Sequence, residues 1–569
     1  MRIKTIFIKI FKILIILILI NFSSSKIFTL KDLTSEKRYS ISQNSKEFIK
    51  KINDNVYIEV YLIGDFPSRI EKLESELKYF LSEIKKINNY FEIKYVNILE
   101  ENDLKTRNEI LYQISEKGIS PTTLKIKENN SYTEKMIIPG AIIKYNSKES
   151  SVQLLNNNIY QSSNENIEQS IKELEYKFLS ALKNIIKIEK KSSIGLILGE
   201  NINKNDIIGL KELLNNKYKV KEIDIREYEI NNKGEPDFEK KIKEFQSNDL
   251  IFLINPTEKF EEIDKYLIDQ YIMNGGKTFW AIDISNSSMD SLMNKGSFIA
   301  HKSRTYNLND LLFNYGIRIN NDIISDLSCA KIPVPVSFID NKPSWELLPW
   351  EYFPVSIPIS NHPITSNLNL IKFDFISSID TVNFSSNIKK TVLLKSSEYS
   401  KLNNLPFQIN LKQAFSKIKQ NEYKNRPKNL AVLLEGTFNS AFKNRYRYKS
   451  NNIKFKEKST ENKIFVVSDK DFLINKYYNG NRLPLSLDKY DNIRYGNENF
   501  ILNSIDYMLE KNNFLNLRNK EIKLRRLNLN KINNNKTLWQ FFNIIPPIII
   551  IIILLTVKFL IRKRKYENF

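Results

Sequence analysis

Residues 248–283 read NDLIFLINPTEKFEEIDKYLIDQYIMNGGKTFWAID. The five apolar residues after Asp249 predict a strand that is buried on both faces, and the apolar spacing of residues 258–274 predicts a helix. Gly275 and Gly276 predict the end of that helix and a turn into a second apolar strand, KTFWA. A strand, a helix and a strand in this order are typical of a parallel sheet with crossover helices.

The same alternation extends in both directions from this stretch. An apolar strand, SSIGLILGE (192–200), precedes it and is followed by a helix over 206–216 and the strand YKVKEIDI. Downstream, TVLLKS, NLAVLLEG and KIFVVSDKDFL predict strands, and NFILNSIDYMLEK predicts a helix. We therefore expect a doubly wound α/β domain over residues 191–515.

Polar residues follow three of these predicted strands at their carboxyl ends. They are Glu200, Asn255 and Asp283. Ligands of open α/β sheets bind in the crevice outside the carboxyl ends of the strands, so Glu200 and Asp283 are candidate binding residues. The alternative is that these residues only terminate their strands.

The N-terminal part of the body predicts a smaller α/β domain over residues 26–163. The strand VYIEVYLI, a helix from 67, the strand FEIKYVNI, a helix over 103–117 and a pair of strands over 123–145 follow one another. This order is thioredoxin-like, but the chain has no Cys-x-x-Cys motif, which excludes redox chemistry. Residues 164–190 predict a long amphipathic helix that connects the two domains.

Residues 331–367 differ in composition from the rest of the chain. They contain seven of the seventeen prolines and two of the four tryptophans, so long helices and central strands are not expected there. Rigid aromatic side chains are typical of binding surfaces. Five residues are therefore candidates for contact with a ligand or partner: Trp345, Trp350, Tyr352, Asn361 and His362. The alternative is a long loop that packs its own aromatic side chains on the domain.

The C-terminus carries a membrane signature. Residues 541–561 are almost entirely apolar and are followed by a basic tail at 562–569. An apolar run of about 20 residues predicts a transmembrane helix. The basic segment before it, 516–540, contains the alternating stretch IKLRRLNL, which predicts a bulged strand beside the membrane or, alternatively, a solvated linker.

The N-terminal residues 1–25 carry a second hydrophobic run, preceded and interrupted by lysines. We interpret them as an uncleaved membrane anchor, with a cleavable signal peptide as the alternative. Basic residues at both ends place both termini in the cytoplasm by the positive-inside rule. The body would then lie in the periplasm, outside the inner membrane and near its lipids.

The residues needed for common chemistries are scarce. There is one cysteine, Cys329, and there are two histidines, so a three-histidine zinc site and a disulfide framework are excluded. No P-loop and no G-x-S-x-G motif occur. The net charge of +22 comes from scattered lysines that form no stripe, which argues against nucleic acid as a partner. We expect no catalytic residues, no cofactor and no metal.

Several stretches together resemble one transporter family. They are VYLIGDFPSRIEKL, EKMIIPGAIIKY, LLPWEYFP with SNHPIT, SSIDTV, NLAVLLEGTFNSAF, GNENFILNSIDYML and LRNKEIKLRRL. In this order they resemble the G component (GldG) of the gliding-motility-associated ABC transporter of Bacteroidetes-type bacteria.

The resemblance implies an auxiliary, substrate-binding-type subunit that acts with an ABC permease and a cytoplasmic ATPase. It also implies that the second domain resembles an amidotransferase-like module without its cysteine nucleophile, because Cys329 is not at a strand-to-helix turn. Two alternatives remain open at this point, a membrane-anchored envelope hydrolase and a purely structural adaptor. An acidic or serine centre in the crevice would favour the hydrolase.

Overall fold

The structure is a computed structural model that describes residues 40–509 and 536–566. Within these ranges it leaves out short segments at 101–102, 129–130, 157–161, 187–190, 200–201, 231–236, 256–259, 304–306, 340–341, 359–361, 367, 383–386, 417–419, 424–425 and 446–454. The chain divides into two compact units, one over Tyr39–Lys520 and the other over Met1–Arg38 with Glu521–Phe569.

The N-terminal part of the larger unit forms a four-stranded mixed sheet with helices. Its elements are α1 Gln43–Lys50, β1 Val56–Val60, α2 Ser68–Ile87, β2 Phe91–Tyr95, α3 Leu104–Glu116, β3 Thr122–Glu128, β4 Ser131–Ile137, β5 Gly140–Tyr145, β6 Lys148–Gln153 and α4 Ser163–Ile185. The strand order is β2-β1-β5-β6, with β1 parallel to β2 and antiparallel to β5. The strands β3 and β4 form a separate hairpin. The thioredoxin-like assignment of this part stays a prediction.

The helix α4 packs in the core of this first sheet. It begins with a capping box in which Ser162 and Glu165 satisfy each other's backbone N–H groups. Its apolar face, which includes Phe178 and Leu182, is buried together with Leu77 of α2. The predicted connecting helix therefore also forms part of the first core.

The second part of the larger unit contains a nine-stranded sheet and several smaller sheets of two or three strands. Its elements are β7 Ser193–Leu198, α5 Ile208–Asn215, β8 Lys219–Glu222, α6 Phe238–Gln246, β9 Leu250–Ile254, α7 Glu262–Met273, β10 Lys277–Ala281, α8 Met289–Lys295, β11 Ser297–Ala300, α9 Asn309–Asn314, β12 Ile317–Ile319, β13 Asp322–Asp326, β14 Cys329–Ile339, β15 Lys342–Ser356, β16 Ile371–Lys372, β17 Ile379–Thr381, β18 Ile388–Lys395, β19 Ser400–Asn404, β20 Phe407–Asn410, β21 Asn429–Gly436, β22 Asn462–Val467, β23 Tyr477–Tyr478, β24 Asn481–Arg482 and α10 Asn497–Leu509. Short 3₁₀ turns cover 98–100, 204–207, 411–415, 420–423 and 471–473.

The nine-stranded sheet is mixed, which corrects the expectation of a purely parallel sheet. Its order is β12-β17-β21-β22-β10-β9-β7-β8, and β18 pairs with β21 beside this path. The five strands β8, β7, β9, β10 and β22 are parallel, whereas β21 is antiparallel to β22. The predicted strand–helix–strand unit lies in the parallel half, and Gly275 after α7 has the positive φ of 94° that a helix-ending glycine adopts.

Apolar side chains are buried on both faces of this sheet. On one face, Phe252, Phe279 and Phe465 stack across three adjacent strands, with ring centroids 4.4 Å apart in both pairs. Every residue of β9 is buried, because helices or loops cover both sides. This double burial explains why the strands read as continuous apolar runs.

The proline-rich segment is largely a hairpin, whereas the sequence analysis considered a binding surface or a long loop and expected no long helices or central strands. The strands β14 and β15 pair antiparallel, with register shifts on either side of the run from Lys331 to Pro335. Beyond each other they pair only with β16 among the described strands. Because β16 pairs with β15 only at Val355 and Ser356, the prolines lie in the two-stranded part of this small sheet. Proline thus excludes these residues from the middle of a sheet but not from a two-stranded arm.

The described part of the smaller unit is one helix, α11 Lys536–Tyr566. Its segment Leu538–Arg564 is the one helix among the described residues that is long and apolar enough to cross a membrane. This agrees with the predicted span at 541–561. Residues 536–540, expected in the juxtamembrane segment, form its first turn. The predicted anchor at 1–25 and the predicted strand in IKLRRLNL lie outside the described residues.

Candidate functional site

The candidate site lies where the parallel strands β10 and β22 end. These strands are neighbours, so the residues that follow them meet at one edge of the sheet. Asp283 follows β10, and Asp469, Lys470 and Asp471 follow β22. The sequence analysis had selected Asp283 for this position, and the structure places it beside three further charged residues.

Lys470 holds the site together. Its Nζ lies 2.5 Å from Oδ2 of Asp283 and 3.0 Å from Oδ1 of Asp471, and its backbone N–H donates to Oδ1 of Asp283. Both carboxylate oxygens of Asp283 therefore accept from the same residue. This arrangement ties the end of β22 to the end of β10.

Asp469 is fully buried and binds only backbone groups. Its Oδ1 accepts from the N–H of Asp471, and its Oδ2 accepts from the N–H of Asp374 at 2.8 Å. A third strand end joins the site in this way, because Asp374 follows β16. The carboxyl side chain of Asp469 thus fixes two loops relative to each other.

A second group of charges continues from Asp374. Lys372 Nζ lies 3.0 Å from Asp374 Oδ1, and Lys476 Nζ lies 2.8 Å from Asp374 Oδ2. Both lysines also face Asp488, which Lys372 contacts directly and Lys476 approaches to 3.9 Å. We call these eight residues the aspartate cluster: its three lysines pair with four of its five aspartates, and the fifth, Asp469, accepts backbone N–H groups.

Burial and neighbouring charges shift the pKa values in opposite directions. Burial raises the pKa of Asp283 to about 6, against the opposing effect of Lys470, and raises the pKa of Asp469 well above its ordinary value with help from the nearby aspartates. For Asp374 burial is outweighed, because Lys372 and Lys476 hold its pKa below the ordinary value. The pKa values of Asp283 and Asp374 are therefore shifted in opposite directions within one cluster.

The cluster does not fit a metal ion. Carboxylate oxygens of Asp283, Asp469 and Asp471 lie within 4.8 Å of one another. However, the Lys470 ammonium already supplies positive charge at Asp283 and Asp471, and both oxygens of Asp469 accept N–H groups. A hard cation would need those same oxygens.

The space beside the cluster is small. A cavity of about 20 Å³, lined by Lys372, Asp374, Lys476 and Asp488 among others, has room for about one water molecule. The ends of β9 and β10 are also tied together, since Oδ1 of Asn255 accepts from the N–H of Asp283. Among the described residues, the arrangement therefore positions loops, and the cavity beside these four charged residues has room for about one water molecule.

The predicted contact surface divides into an exposed part and a buried part. Trp345 is 50% exposed and pairs across the hairpin with Pro335, whereas Trp350 and Tyr352 are almost fully buried. Trp350 packs on Tyr352 with ring centroids 5.1 Å apart. For these two side chains the structure favours core packing, the alternative considered for this segment, and Trp345 stays a candidate contact residue.

The exposed face of this arm is apolar. Cross-strand partners project to the same face, so Trp345, Pro335, Pro333 and Leu347 share one face of the hairpin. Leu347 is also exposed, while the alternate residues on β14 point into the core. We define the contact arm as the exposed face formed by these four residues.

His362 lies apart from both the arm and the aspartate cluster. Its Nδ1 accepts from the N–H of Ile364 at 3.2 Å, and its ring lies 4.7 Å from that of Tyr507. Burial lowers the pKa of His362 to about 4, so the imidazole is neutral at pH 7. Asn361 and Glu200, the remaining predicted binding residues, lie outside the described residues.

The single thiol is placed for structure and not for reactivity. Cys329 begins β14, and burial raises its pKa to about 12. A thiolate, not a thiol, is the reactive form of cysteine. The side chain is therefore a poor nucleophile at neutral pH.

Lys372, Asp374, Lys476 and Asp488 were missed by sequence reasoning. They come from segments with no strong periodic pattern and meet only through long-range contacts. The one usable signal for this region was the charged run at 469–471, which follows an apolar strand.

Comparisons with known proteins give two family matches. A family model described as an ABC-type uncharacterized transport system matches residues 191–504. A second model, described as a domain of unknown function, matches residues 35–144. An uncharacterized protein of Borreliella burgdorferi is 24% identical over 541 residues, which cover 94% of this chain and 93% of that protein.

Two solved structures are also similar over part of the chain. The mmIFT52 N-terminal domain is 14% identical, with a TM-score of 0.31, and covers 55% of this chain and 97% of its own. A ThuA-like protein from Bacteroides uniformis is 10% identical, with a TM-score of 0.29, and covers 57% of this chain and 96% of its own. These TM-scores are too low to indicate a shared fold.

Proposed function

Because the chain belongs to the family described as an ABC-type uncharacterized transport system, we propose that it is a non-enzymatic, substrate-binding-type auxiliary subunit of an ABC transporter. The family match is the observation that carries this proposal. It spans the nine-stranded sheet, the aspartate cluster and the contact arm. The relative from Borreliella burgdorferi supports one plan for most of the chain, since the match covers 94% of it.

The proposed location is the inner membrane, with two spans. The helix α11 would be one span, and residues 1–25 would be the other. The body would lie in the periplasm and both termini in the cytoplasm, since basic residues such as Arg562 and Lys563 follow α11's apolar part. Reporter fusions within the nine-stranded sheet should then give a periplasmic signal, and a cytoplasmic signal there would contradict the proposal.

The absence of catalysis is proposed from the geometry of the aspartate cluster. Both oxygens of Asp283 accept from Lys470, and both oxygens of Asp469 accept backbone N–H groups. An acid–base pair needs at least one oxygen within reach of a substrate. The neighbouring cavity of about 20 Å³ offers space only for a water molecule.

A membrane-anchored envelope hydrolase is the second candidate, because an acidic centre does lie at the carboxyl ends of the strands. Replacing Asp283 with Asn separates the two functions. A hydrolase would lose turnover of envelope material in a variant that still folds, whereas an auxiliary subunit would keep its transport phenotype. A purely structural adaptor would behave in the same way with and without a transported ligand, both as the wild type and as Asp283→Asn.

The proposed partners are an ABC permease and a cytoplasmic ATPase. Mild-detergent purification of the full-length protein at native expression should recover both. The contact arm is the proposed docking face on the body, and its exposed Trp345 is the expected anchor. Recovery of the protein alone would contradict the partner proposal.

A matched pair of variants tests the arm. Trp345→Ala should reduce recovery of the permease, while Phe415→Ala should not, although Phe415 is equally exposed at 51%. Equal recovery from both variants would show that the arm is not the docking face.

The resemblance to the gliding-motility-associated component supports a transporter of that type. A deletion strain should then lose surface motility, and the full-length gene should restore it. A deletion strain that moves normally would leave the transporter proposal standing and remove the gliding role.

A further inference from the structure

The helix α11 contains polar groups that a simple membrane anchor would not need. Asn543, Pro546, Pro547 and Lys558 interrupt its apolar run, yet the chain remains helical from Lys536 to Tyr566. Proline has no N–H, so the two prolines leave the carbonyls of residues 542 and 543 without their usual helical partners. In a bilayer, such groups need hydrogen-bond donors from elsewhere.

These polar groups lie on one side of the helix. At about 100° per residue, Pro547 lies about 40° and Lys558 about 60° from Asn543 around the axis. Thr556 projects from the opposite side and donates internally to the carbonyl of Ile553. The side formed by Asn543, Pro547 and Lys558 is called the polar face below.

The polar face extends over most of the membrane thickness. At about 1.5 Å per residue, Asn543 and Lys558 are separated by about 22 Å along the axis. Trp539 and Arg562, which suit the two interfaces, are about 35 Å apart, close to the roughly 30 Å of a hydrocarbon core. Both ends of the polar face therefore fall near opposite edges of the core.

We infer that the polar face of α11 docks against a membrane-spanning helix of the permease that carries a carboxylate at the level of Lys558 and a hydrogen-bond donor at the level of Asn543. This inference rests on the proposed function, because it requires α11 to span the membrane. Ionisable residues inside spans usually face protein and pair with an opposite charge. The donor would satisfy the carbonyls that the prolines vacate.

Charge argues against a second copy of this chain as the occupant. Two parallel copies that met through the polar face would place Lys558 against Lys558 at the same depth. If the polar face contacted only lipid tails, Asn543 and Lys558 would gain no favourable interaction from lying on the same side of the helix. The complementary occupant is therefore a different helix with an acidic side chain.

Photo-crosslinking of the full-length protein in its native membrane tests the inference. A photoreactive side chain at Ile550 or Leu554, which lie on the polar face, should crosslink to the permease. The same group at Ile552, on the opposite side, should crosslink mainly to lipid. Equal crosslinking from both sides, or crosslinking to a second copy, would overturn the inference.

Two substitutions give an independent measurement. Lys558→Leu makes the helix more apolar, so insertion is retained, but recovery of the permease should fall about tenfold. Thr556→Leu is the matched control and should leave recovery unchanged. Unchanged recovery with Lys558→Leu would show that Lys558 only reaches toward the headgroups, and would overturn the docking.

The failure of this inference can be told apart from failure of the proposed function. Release of the wild-type protein by alkaline carbonate would show that α11 is not a span and would overturn both. Retention in the membrane together with side-independent crosslinking would overturn only the docking of the polar face.

Discussion

Replacing Lys470 with Met tests whether the aspartate cluster contributes to stability as its geometry indicates. The variant removes the ammonium that lies 2.5 Å from Asp283 and 3.0 Å from Asp471. Removing one partner of a buried ion pair typically costs about 3–5 kcal/mol, because the other charge stays buried without compensation. We expect the free energy of unfolding at pH 7 to fall by that amount.

The raised pKa of Asp283 determines how the stability lost in Lys470→Met should change with pH. The pKa of Asp283 is raised to about 6 in the folded protein, so the folded state binds this proton more tightly than the unfolded state. The contribution of Asp283 therefore favours folding at low pH and declines as pH rises through 6. Without Lys470 this pKa rises further, so the deficit of Lys470→Met should shrink on acidification below pH 6.

Urea unfolding of the full-length protein in mild detergent, followed by tryptophan fluorescence at pH 7 and pH 5, measures both effects. Lys389→Met is the control, since Lys389 is 73% exposed and lies 4.0 Å from Glu435, where an ion pair contributes little. The double variant Lys470→Met with Asp283→Asn should regain part of the loss. Equal stability of the two lysine variants, or a loss that does not depend on pH, would refute the reasoning.

Three further predictions concern single side chains. Trp350→Ala should destabilise the protein by about 3–5 kcal/mol, because the ring is fully buried. Trp345→Ala should change the stability by less than about 0.5 kcal/mol, because half of this side chain is exposed. Thermal melting of both variants measures the difference. Cys329→Ser should leave transport intact, and the native thiol should react slowly with maleimide until urea is added, because its pKa is about 12. Asp269→Asn should cost about 1–3 kcal/mol in urea unfolding, since the carboxylate accepts from Tyr315, Ser440, Ala441 and Gln270; an unchanged midpoint would contradict this.

Local patterns predicted the parallel half of the large sheet, because a strand that is buried on both faces is apolar at every position. Residues 250–254 are all apolar and all buried, and Gly275 ends the following helix as expected. The antiparallel half could not be predicted in the same way. Whether β21 runs with or against β22 depends on the route of the intervening chain, which no periodicity records.

The candidate site shows the same division. Asp283 was found from the rule that ligand crevices lie at the carboxyl ends of parallel strands. The second group of charges was not found, because Lys372, Asp374 and Asp488 come together only in the tertiary fold. The hairpin in the proline-rich segment was not predicted for a different reason: proline forbids central strands but tolerates a two-stranded arm.

The position of β22 in the large sheet has a consequence for how the protein is made. Thr278 of β10 pairs with Ile464 of β22, 186 residues further along the chain. Ribosomes synthesise the chain from its N-terminus. The edge of β10 that pairs with β22 therefore stays unpaired until most of the body has been synthesised. Pairing over such separations is slow and leaves strand edges open to wrong partners. The edge of β10 that later pairs with β22 is therefore the place where a holding chaperone would protect the growing chain best.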